Sequence, residues 1–227
     1  MTNDHESPAH AHDTSEHIDS PGHEGRTVDP IDWDARYSSA DQMWSGDPNG
    51  SLVAEVASLA PGTALDVGCG EGADAIWLSG LGWSVTAIDV SEVGLDRARQ
   101  AARRAGAEVK WLHAGLLDAA LPVEGFDLVS VQYPALPHAA MQTTERSLLA
   151  AVGIGGHLVL VHHADIDHDV AKAHGFDPSH YVSFEDISSL IDDDWDVIVD
   201  ERRPRHVTEG AGAGHTHDVV LHAVRIR

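Results

Sequence analysis

The run Leu65-Asp66-Val67-Gly68-Cys69-Gly70-Glu71-Gly72-Ala73-Asp74 decides the fold of this 227-residue chain. Its first residues are apolar and Ala75-Ile76-Trp77-Leu78 follows it, so the pattern predicts a buried strand, a tight glycine turn and then a helix. Glycines at alternate positions let the backbone bend sharply and approach a ligand closely. The free amides at the start of the next helix favour an electron-rich group. The turn therefore predicts a ligand site.

Two carboxylates make this prediction more specific. Asp66 lies inside the otherwise apolar first strand, where burial of a charge is costly without a partner. A second apolar strand ends in Asp89, at close to the roughly 20-residue offset at which an acid takes ribose hydroxyls in nucleoside-binding α/β folds. The spacing Gly-x-Gly-x-Gly differs from the Gly-x-Gly-x-x-Gly of dinucleotide sites, which disfavours a nicotinamide oxidoreductase. Together these features predict an adenosine-type cofactor.

This combination of acid, glycine turn and second acid resembles motif I of the class I S-adenosylmethionine-dependent methyltransferases. The resemblance extends from about Trp33 to the end of the chain and implies that S-adenosylmethionine is the cofactor. It also implies that the glycine turn passes the methionine part and that Asp89 takes the ribose. Two stretches, Trp33-Asp34-Ala35-Arg36-Tyr37 and Trp44-Ser45-Gly46-Asp47-Pro48-Asn49, look like the N-terminal segment of the tellurite-resistance and thiopurine methyltransferase branch, where it helps cover the cofactor. The alternative is that the two tryptophans are packing anchors.

Strands and helices alternate along the chain, which predicts an α/β fold with a parallel sheet and right-handed crossovers. We expect a Rossmann-like three-layer sandwich whose mostly parallel, seven-stranded sheet ends in an antiparallel closing hairpin. Residues 1–28 are predicted to be a disordered, His-rich acidic tail. Residues 29–227 form the predicted methyltransferase domain, and its segment 29–60 covers the cofactor. Asp29 is the predicted N-cap of the first helix, and residues 210–214 form a predicted exposed loop.

The resemblance, with the position of each residue at the carboxyl edge of the sheet, predicts the cofactor-binding set. It comprises Asp66, Gly68, Cys69, Gly70, Gly72, Asp89, Val90, Leu116, Leu117, Gln132, Trp33, Arg36 and Trp44. Cys69 is interpreted as a small residue that fits the turn rather than a redox group. By resemblance, Gly115 stands where the family has an aspartate near the adenine, so one contact is missing. Backbone amides near Leu116, or Asp118, are the candidate substitutes.

The part of the site that binds the methyl acceptor is predicted to lie at the loop after the fourth strand and at the end of the fifth strand. Open α/β folds bind ligands at this edge of the sheet. Gln132 and Tyr133 are expected to face the transferred methyl, and His162 or His163 to line the substrate pocket. Tyr133 and His162 are the candidate catalytic residues, since either would assist as a base for an alcohol or phenol. No spacing within the cluster from His162 to His174 matches a metal-ligand template, so no metal site is predicted.

No catalytic dyad is evident in the sequence, which favours an acceptor that needs no strong base. Thiolates and selenite- or tellurite-type oxyanions are such soft, already ionised nucleophiles. We therefore predict a methyltransferase that acts on a small molecule. The alternative from another class is a non-catalytic module that binds the cofactor, or a metal through its histidines, in a stress response.

The charge balance of the chain argues against two classes of binding partner. The chain has 14 Lys and Arg against 37 Asp and Glu, a formal net charge of −23, which argues against nucleic acid and against an acidic membrane surface. Its one cysteine excludes a disulfide framework. The sequence contains no apolar run of membrane-spanning length and no signal core, so we expect a cytoplasmic monomer or homodimer. Four arginines after Ser91 are expected to form a solvated helix face: Arg97, Arg99, Arg103 and Arg104.

We predict that Asp89→Ala weakens the binding of S-adenosylmethionine by about tenfold or more, because a charge-assisted contact to the ribose is lost. Isothermal titration calorimetry of both proteins measures this directly. Unchanged affinity would show that Asp89 is misassigned.

Overall fold

The computed structural model describes Met1, residues 31–205 and residues 214–227. The tail of residues 1–28, the predicted cap Asp29 and most of the predicted loop at 210–214 lie outside the described residues. The strands of the described part are β1 (Thr63–Val67), β2 (Ser84–Asp89), β3 (Val109–His113), β4 (Phe126–Gln132), β5 (Val152–His163), β6 (Trp195–Pro204) and β7 (His217–Arg225).

These strands form one seven-stranded sheet in the order β3-β2-β1-β4-β5-β7-β6. The pairs from β3 across to β5 are parallel, whereas β7 runs antiparallel to both β5 and β6. The predicted mostly parallel sheet with an antiparallel closing hairpin is therefore confirmed. The chain moves outward from β1 to β3 and then returns to β4 beside β1, so the strand order reverses at this point. Open α/β sheets bind ligands at the carboxyl ends of the strands at such a switch point.

The described helices are α1 (Trp33–Ser38), α2 (Gly50–Val56), α3 (Ala73–Gly80), α4 (Glu92–Ala105), α5 (Thr143–Ala151), α6 (His168–Ala173) and α7 (Phe184–Ser188). The N-cap of α1 is Asp32, whose carboxylate accepts from the amide of Ala35 at 2.9 Å, so the prediction of Asp29 as cap is wrong. Asn49 caps α2 and Ser91 caps α4, each through its side-chain oxygen. Among residues 31–205 and 214–227, no helix has the length and apolarity of a membrane span.

Alternation along β1 separates the two apolar clusters of the core. Leu65 and Val67 belong to the cluster that packs against α5 and α7, whereas Ala64 belongs to the cluster that includes Leu52 of α2 and Leu78 of α3. Asp66 shares its face with Ala64, because side chains two residues apart in a strand point the same way. The buried carboxylate of β1 therefore lies on the side covered by α2 and α3.

The fifth strand includes a run of glycines. The glycines of residues 153–156 belong to β5, which begins at Val152. A side chain at Gly156 would lie 2.7 Å from the carbonyl oxygen of Phe126, so glycine permits this close strand pairing beside an irregularity in the register. His162 and His163 are the last two residues of the strand and lie at its carboxyl edge, as predicted.

A polar network joins the N-terminal segment to the closing hairpin. The Glu55 carboxylate of α2 accepts from Arg203 at 2.8 Å and lies 3.0 Å from Nδ1 of His222. His222 in turn lies 2.9 Å from Nδ1 of His157 on β5. Burial by itself raises the pKa of Glu55, but the hydrogen bonds from Arg203 and His222 outweigh it and leave the pKa below its usual value. The ionised form of Glu55 therefore stabilises the attachment of α2 to β6 and β7.

We predict that Glu55→Gln reduces the dependence of stability on acid pH. A carboxyl whose pKa is lower in the folded state contributes stability above its unfolded pKa of about 4.3, and loses it as pH falls through the folded value. Urea unfolding at pH 7 and at pH values below that unfolded pKa should show a smaller loss for Glu55→Gln than for the native chain. Glu108→Gln, at an exposed position, is the matched control. Equal losses in all three proteins would contradict the role given to Glu55.

Candidate active site

The glycine turn after β1 has the left-handed backbone that only glycine adopts readily. Gly68, Gly70 and Gly72 have φ angles of +71°, +53° and +84°. The amides of Gly68 and Cys69 both donate to the carbonyl oxygen of Ile88, at 2.9 and 3.0 Å, which ties the turn to the end of β2. A side chain at Gly70 would lie 2.6 Å from the hydroxyl of Tyr37. Glycine is therefore required at Gly70 for the approach of α1 as well as for the turn.

Asp89 connects this turn to the start of α4. Its Oδ2 accepts from the amide of Gly70 at 2.7 Å, and its Oδ1 accepts from the amide of Ser91 at 2.8 Å. Burial raises the pKa of the Asp89 carboxyl against the effect of these two hydrogen bonds. Each carboxylate oxygen can accept a further hydrogen bond, so the group retains acceptors for two hydroxyl donors. Asp89 and the glycine turn thus lie together, as predicted, at one wall of a crevice.

Asp66 and Asp74 add two more acids to the same crevice. Asp66 is 2% exposed, and its Oδ2 has no hydrogen-bond partner among the described residues. Burial, together with the charges of Asp74 and Asp89, raises the pKa of Asp66. Burial also raises the pKa of Asp74 to about 6, although its carboxylate accepts from the amide of Asn49 at 2.6 Å. A buried acceptor without a donor, next to two further acids, fits a ligand that carries positive charge and N–H donors.

The N-terminal arm, which we define as residues 31–49, forms the outer wall of the crevice. The predicted residues Trp33, Arg36 and Trp44 all line it. The Arg36 guanidinium lies 5.5 Å from the ring centre of Trp33, and the indole nitrogen of Trp44 donates to the hydroxyl of Tyr37 at 3.0 Å. Trp44 is 39% exposed and Trp33 is also only partly buried, so neither is a buried packing anchor.

Glu71, which the sequence did not single out, holds this arm in place. Its carboxylate accepts from the amides of Met43 and Trp44, at 3.1 and 3.0 Å. It also pairs with Arg97 of α4 at 2.8 Å, and Arg97 donates to two carbonyl groups of the arm. The prediction that Arg97 belongs to a solvated helix face is therefore wrong, because the arm folds back over this end of α4. Glu71 lies within the glycine motif, and that position is the one signal that pointed to it.

The far end of the crevice is lined by Val90, Gly115 and Leu116. Leu117, predicted to bind the cofactor, is 36% exposed and is not part of the described lining. Nε2 of His113 lies 2.9 Å from the carbonyl oxygen of Val90, so the ring of this residue at the strand end has a hydrogen-bond partner. Burial raises the pKa of the Cys69 thiol, which keeps it protonated and agrees with its interpretation as a small residue in the turn.

The acceptor side begins at the end of β4. Gln132 donates to the hydroxyl of Ser130 and to the carbonyl of Val159, and its buried Oε1 has no partner among the described residues. Tyr133 has a φ of +49°, an unfavourable backbone conformation for a bulky residue. Strain of this kind persists where surrounding contacts fix it, and it is concentrated at functional sites. Gln132 and Tyr133 both line the crevice, as predicted.

Asp218, Arg205 and His215, which the sequence did not assign to the site, surround Tyr133. The tyrosine hydroxyl donates to the Asp218 carboxylate at 2.8 Å, and burial followed by the Asp218 charge raises the pKa of Tyr133. The guanidinium of Arg205 lies 4.8 Å from the centre of the Tyr133 ring. On β5, His163 stacks on Tyr133 at 4.2 Å and on His215 at 3.7 Å between ring centres. The antiparallel register that pairs Arg203 with Asp218 brings these residues to the crevice.

His162 lies at the same strand end and lines the crevice. Burial, and then the neighbouring His163, lowers the pKa of His162 to about 4. Its imidazole is therefore neutral near pH 7, and its buried Nε2 has no hydrogen-bond partner among the described residues. A group with so low a pKa is a weak base, but it can donate or accept one hydrogen bond.

One cavity of about 1200 Å³ joins the glycine turn, the arm, the loop after β4 and the closing hairpin. Its cofactor side carries acids, whereas its acceptor side carries imidazoles and the ion pair of Arg205 with Asp218. The sheet order and the position of the crevice define the fold of a class I methyltransferase. Residues 64–156, less than half of the chain, match the family model described as a methyltransferase domain.

Two similar proteins are named as methyltransferases. An uncharacterized methyltransferase of Mycobacterium tuberculosis is 38% identical over 123 residues, which cover 53% of this chain and 61% of the relative. The chain thus spans about three-fifths of that curated relative. The structure described as N-methyltransferase NodS from Bradyrhizobium japonicum in complex with S-adenosyl-L-homocysteine has a TM-score of 0.64 at 19% identity, covering 88% of this chain and all of NodS.

A third similar structure is described as "Conversion of a Disulfide Bond into a Thioacetal Group during Echinomycin Biosynthesis". It has a TM-score of 0.65 at 24% identity and covers 85% of this chain and 90% of the other. Both structural matches concern the fold. The cofactor of this class of domain is S-adenosylmethionine, and the residues present fit it. Its ammonium and sulfonium groups suit the acids of the crevice, and its ribose suits the acceptors of Asp89.

We predict that Glu71→Gln weakens the binding of S-adenosylhomocysteine several-fold, because the arm loses its ion pair with Arg97 and its charge-assisted hydrogen bonds. Calorimetry gives the affinity, and thermal unfolding reports any loss of fold. Glu92→Gln is the matched control, since the Glu92 carboxylate pairs with Arg99 on the exposed side of α4 and with His113 at the end of β3. Equal affinity in Glu71→Gln and Glu92→Gln would contradict this role for the arm.

Proposed function

We propose that this chain transfers a methyl group from S-adenosylmethionine to a small-molecule acceptor that binds between Tyr133 and the closing hairpin. The observation that carries the proposal is the single cavity shared by the glycine turn and the Tyr133 side. Methyl transfer from a sulfonium is an in-line displacement, so the methyl donor and its acceptor must share one pocket in a fixed orientation. The acidic charge balance supports a small molecule rather than nucleic acid as acceptor.

The cofactor, when bound, supplies the activated methyl carbon. We assign the ribose to the Asp89 carboxylate and the amino group of the methionine part to the region of Asp66. The arm residues Trp33 and Trp44 would cover the adenosine and exclude water. Exclusion of water strengthens every electrostatic interaction in the pocket. The remaining task of the protein is to orient the acceptor against the methyl group.

The proposed acceptor is a soft, already ionised nucleophile, such as a thiolate or a selenite- or tellurite-type oxyanion. The weak basicity of the two candidate bases, Tyr133 and His162, supports this choice of acceptor. Tyr133 has a raised pKa, and its hydroxyl donates a hydrogen bond to Asp218. His162 is neutral near pH 7 and only weakly basic, because its pKa is lowered to about 4. Neither group is suited to remove a proton from an alcohol near pH 7. We therefore propose that both position the acceptor through hydrogen bonds.

Hydrogen-bond donors near Tyr133 also favour an anionic acceptor. Arg205 lies over Tyr133, and the imidazoles of His162, His163 and His215 supply hydrogen-bond donors around the same space. An anion that meets a sulfonium loses charge in the transition state, so a pocket with little water assists the step. These features, together with the N-terminal Trp and Arg motifs, support the tellurite-resistance and thiopurine branch as the finer assignment.

We predict transfer of labelled methyl from S-adenosylmethionine to at least one member of a panel of thiols, selenite and tellurite. The rate should rise with pH and level off at the ionisation of each acceptor, because the protein supplies no base. The acceptor with the largest kcat/KM is then assayed with His162→Gln, which keeps a neutral hydrogen-bonding group and should preserve the same pH profile.

Two outcomes would contradict this function. Tight binding of S-adenosylmethionine without transfer to any acceptor would favour a non-catalytic cofactor-binding module. Transfer to phenols or alcohols with a pH profile that changes in His162→Gln would show that His162 acts as a base. The first outcome rejects the activity, and the second rejects only the class of acceptor.

A further inference from the structure

Three side chains with metal-ligating atoms meet outside the cavity wall. His138 follows β4, Glu145 lies in the first turn of α5, and Asp186 lies in the first turn of α7. One donor atom from each lies within 4.8 Å of the other two. Nδ1 of His138 is 3.6 Å from Oε1 of Glu145, and Nε2 of His138 is 4.0 Å from Oδ2 of Asp186.

The burial of Glu145 is the second observation. The residue is 2% exposed, and its Oε2 has no hydrogen-bond partner in the described part of the chain. A buried carboxylate is costly unless a charge or donors compensate it. Nδ1 of His138, whose side chain is 43% exposed, is a close neighbour of the other carboxylate oxygen of Glu145. The cluster therefore places two carboxylates against a single imidazole.

We propose that His138, Glu145 and Asp186 bind one divalent transition-metal ion of the zinc type. A neutral imidazole nitrogen and two carboxylate oxygens are a suitable donor set for Zn²⁺, and a water molecule would complete a tetrahedral site. Mg²⁺ is a poorer match, because it prefers oxygen ligands and retains its water. The exposed His138 gives the ion access from solvent, and the Ser183 capping box fixes the orientation of Asp186.

The position of the site indicates its role. The segment after β4 pairs with the segment before α7, through Val182 donating to Leu136 at 2.8 Å and His138 donating to His180 at 3.0 Å. Leu136 and Val182 also line the cavity. A metal ion held by His138, Glu145 and Asp186 would fasten these two segments together from the outside. The site does not depend on the proposed methyl transfer.

The test is zinc titration of the full chain after removal of metal with a chelator. Imidazole is a zinc ligand wherever it occurs, so every protein carries asparagine in place of His5, His10, His12, His17 and His23 to remove competing sites. Calorimetry with ZnCl₂ should give one saturable site, and zinc should raise the thermal midpoint, whereas MgCl₂ should do neither. The variants Glu145→Gln and His138→Ala should lose this site, while His168→Ala, an exposed histidine on α6, should keep it.

Saturable zinc binding that persists in Glu145→Gln and His138→Ala would overturn the proposal, and so would the absence of any saturable site in the starting protein. Should Glu145→Gln fail to fold, the exposed substitution His138→Ala decides the outcome. Visible absorption spectra with Co²⁺ in place of zinc provide an independent measurement of the coordination geometry. Visible absorption bands typical of tetrahedral coordination should appear in the starting protein and be lost in His138→Ala.

Discussion

The hydrogen bonds from the amides of Gly70 and Ser91 to the Asp89 carboxylate are the constraint on which the rest of the site depends. They fix the glycine turn after β1 to the start of α4, and so determine the width and depth of the crevice. Two amides also stabilise the carboxylate in its ionised form, against the burial that raises its pKa. A single side chain therefore shapes the site and supplies its acceptors.

Acidic residues also attach the N-terminal arm to the sheet. Glu71 accepts hydrogen bonds from the amides of Met43 and Trp44, and Asp74 accepts one from the amide of Asn49. In the opposite direction, Asp34 of the arm accepts from the hydroxyl of Ser91 and the amide of Val93 at the start of α4. Part of the strong negative charge of the chain thus has a structural use, since these carboxylates pair with backbone amides where the arm meets the cavity.

The elements that could be predicted from the sequence are those whose signal is local. The glycine turn and the acid at the end of β2 each depend on neighbouring residues in the chain, and the structure has both where they were expected. The alternation of strands and helices was enough to predict the sheet, because parallel strands require crossovers.

The parts that could not be predicted depend on contacts between distant segments. Asp218 and Arg205 reach Tyr133 only through the antiparallel register of β6 and β7, which the sequence does not reveal. In the sequence, Arg97 cannot be distinguished from the other arginines of α4, because its contact with the arm arises only in the folded chain. The glycines before His157 have the composition of a turn, yet they belong to β5 because its pairing with β4 requires close approach.

The central claim is that the glycine turn and Asp89 together bind the adenosyl group of a sulfonium nucleoside. The most direct measurement is a crystal structure of the full chain grown with S-adenosylhomocysteine. The account predicts the ribose hydroxyls on the Asp89 carboxylate and the amino-acid end of the ligand beside Asp66. An empty crevice beside ligand bound elsewhere would contradict the account, as would preferential occupancy of the turn by a pyrophosphate group when a dinucleotide is supplied in competition.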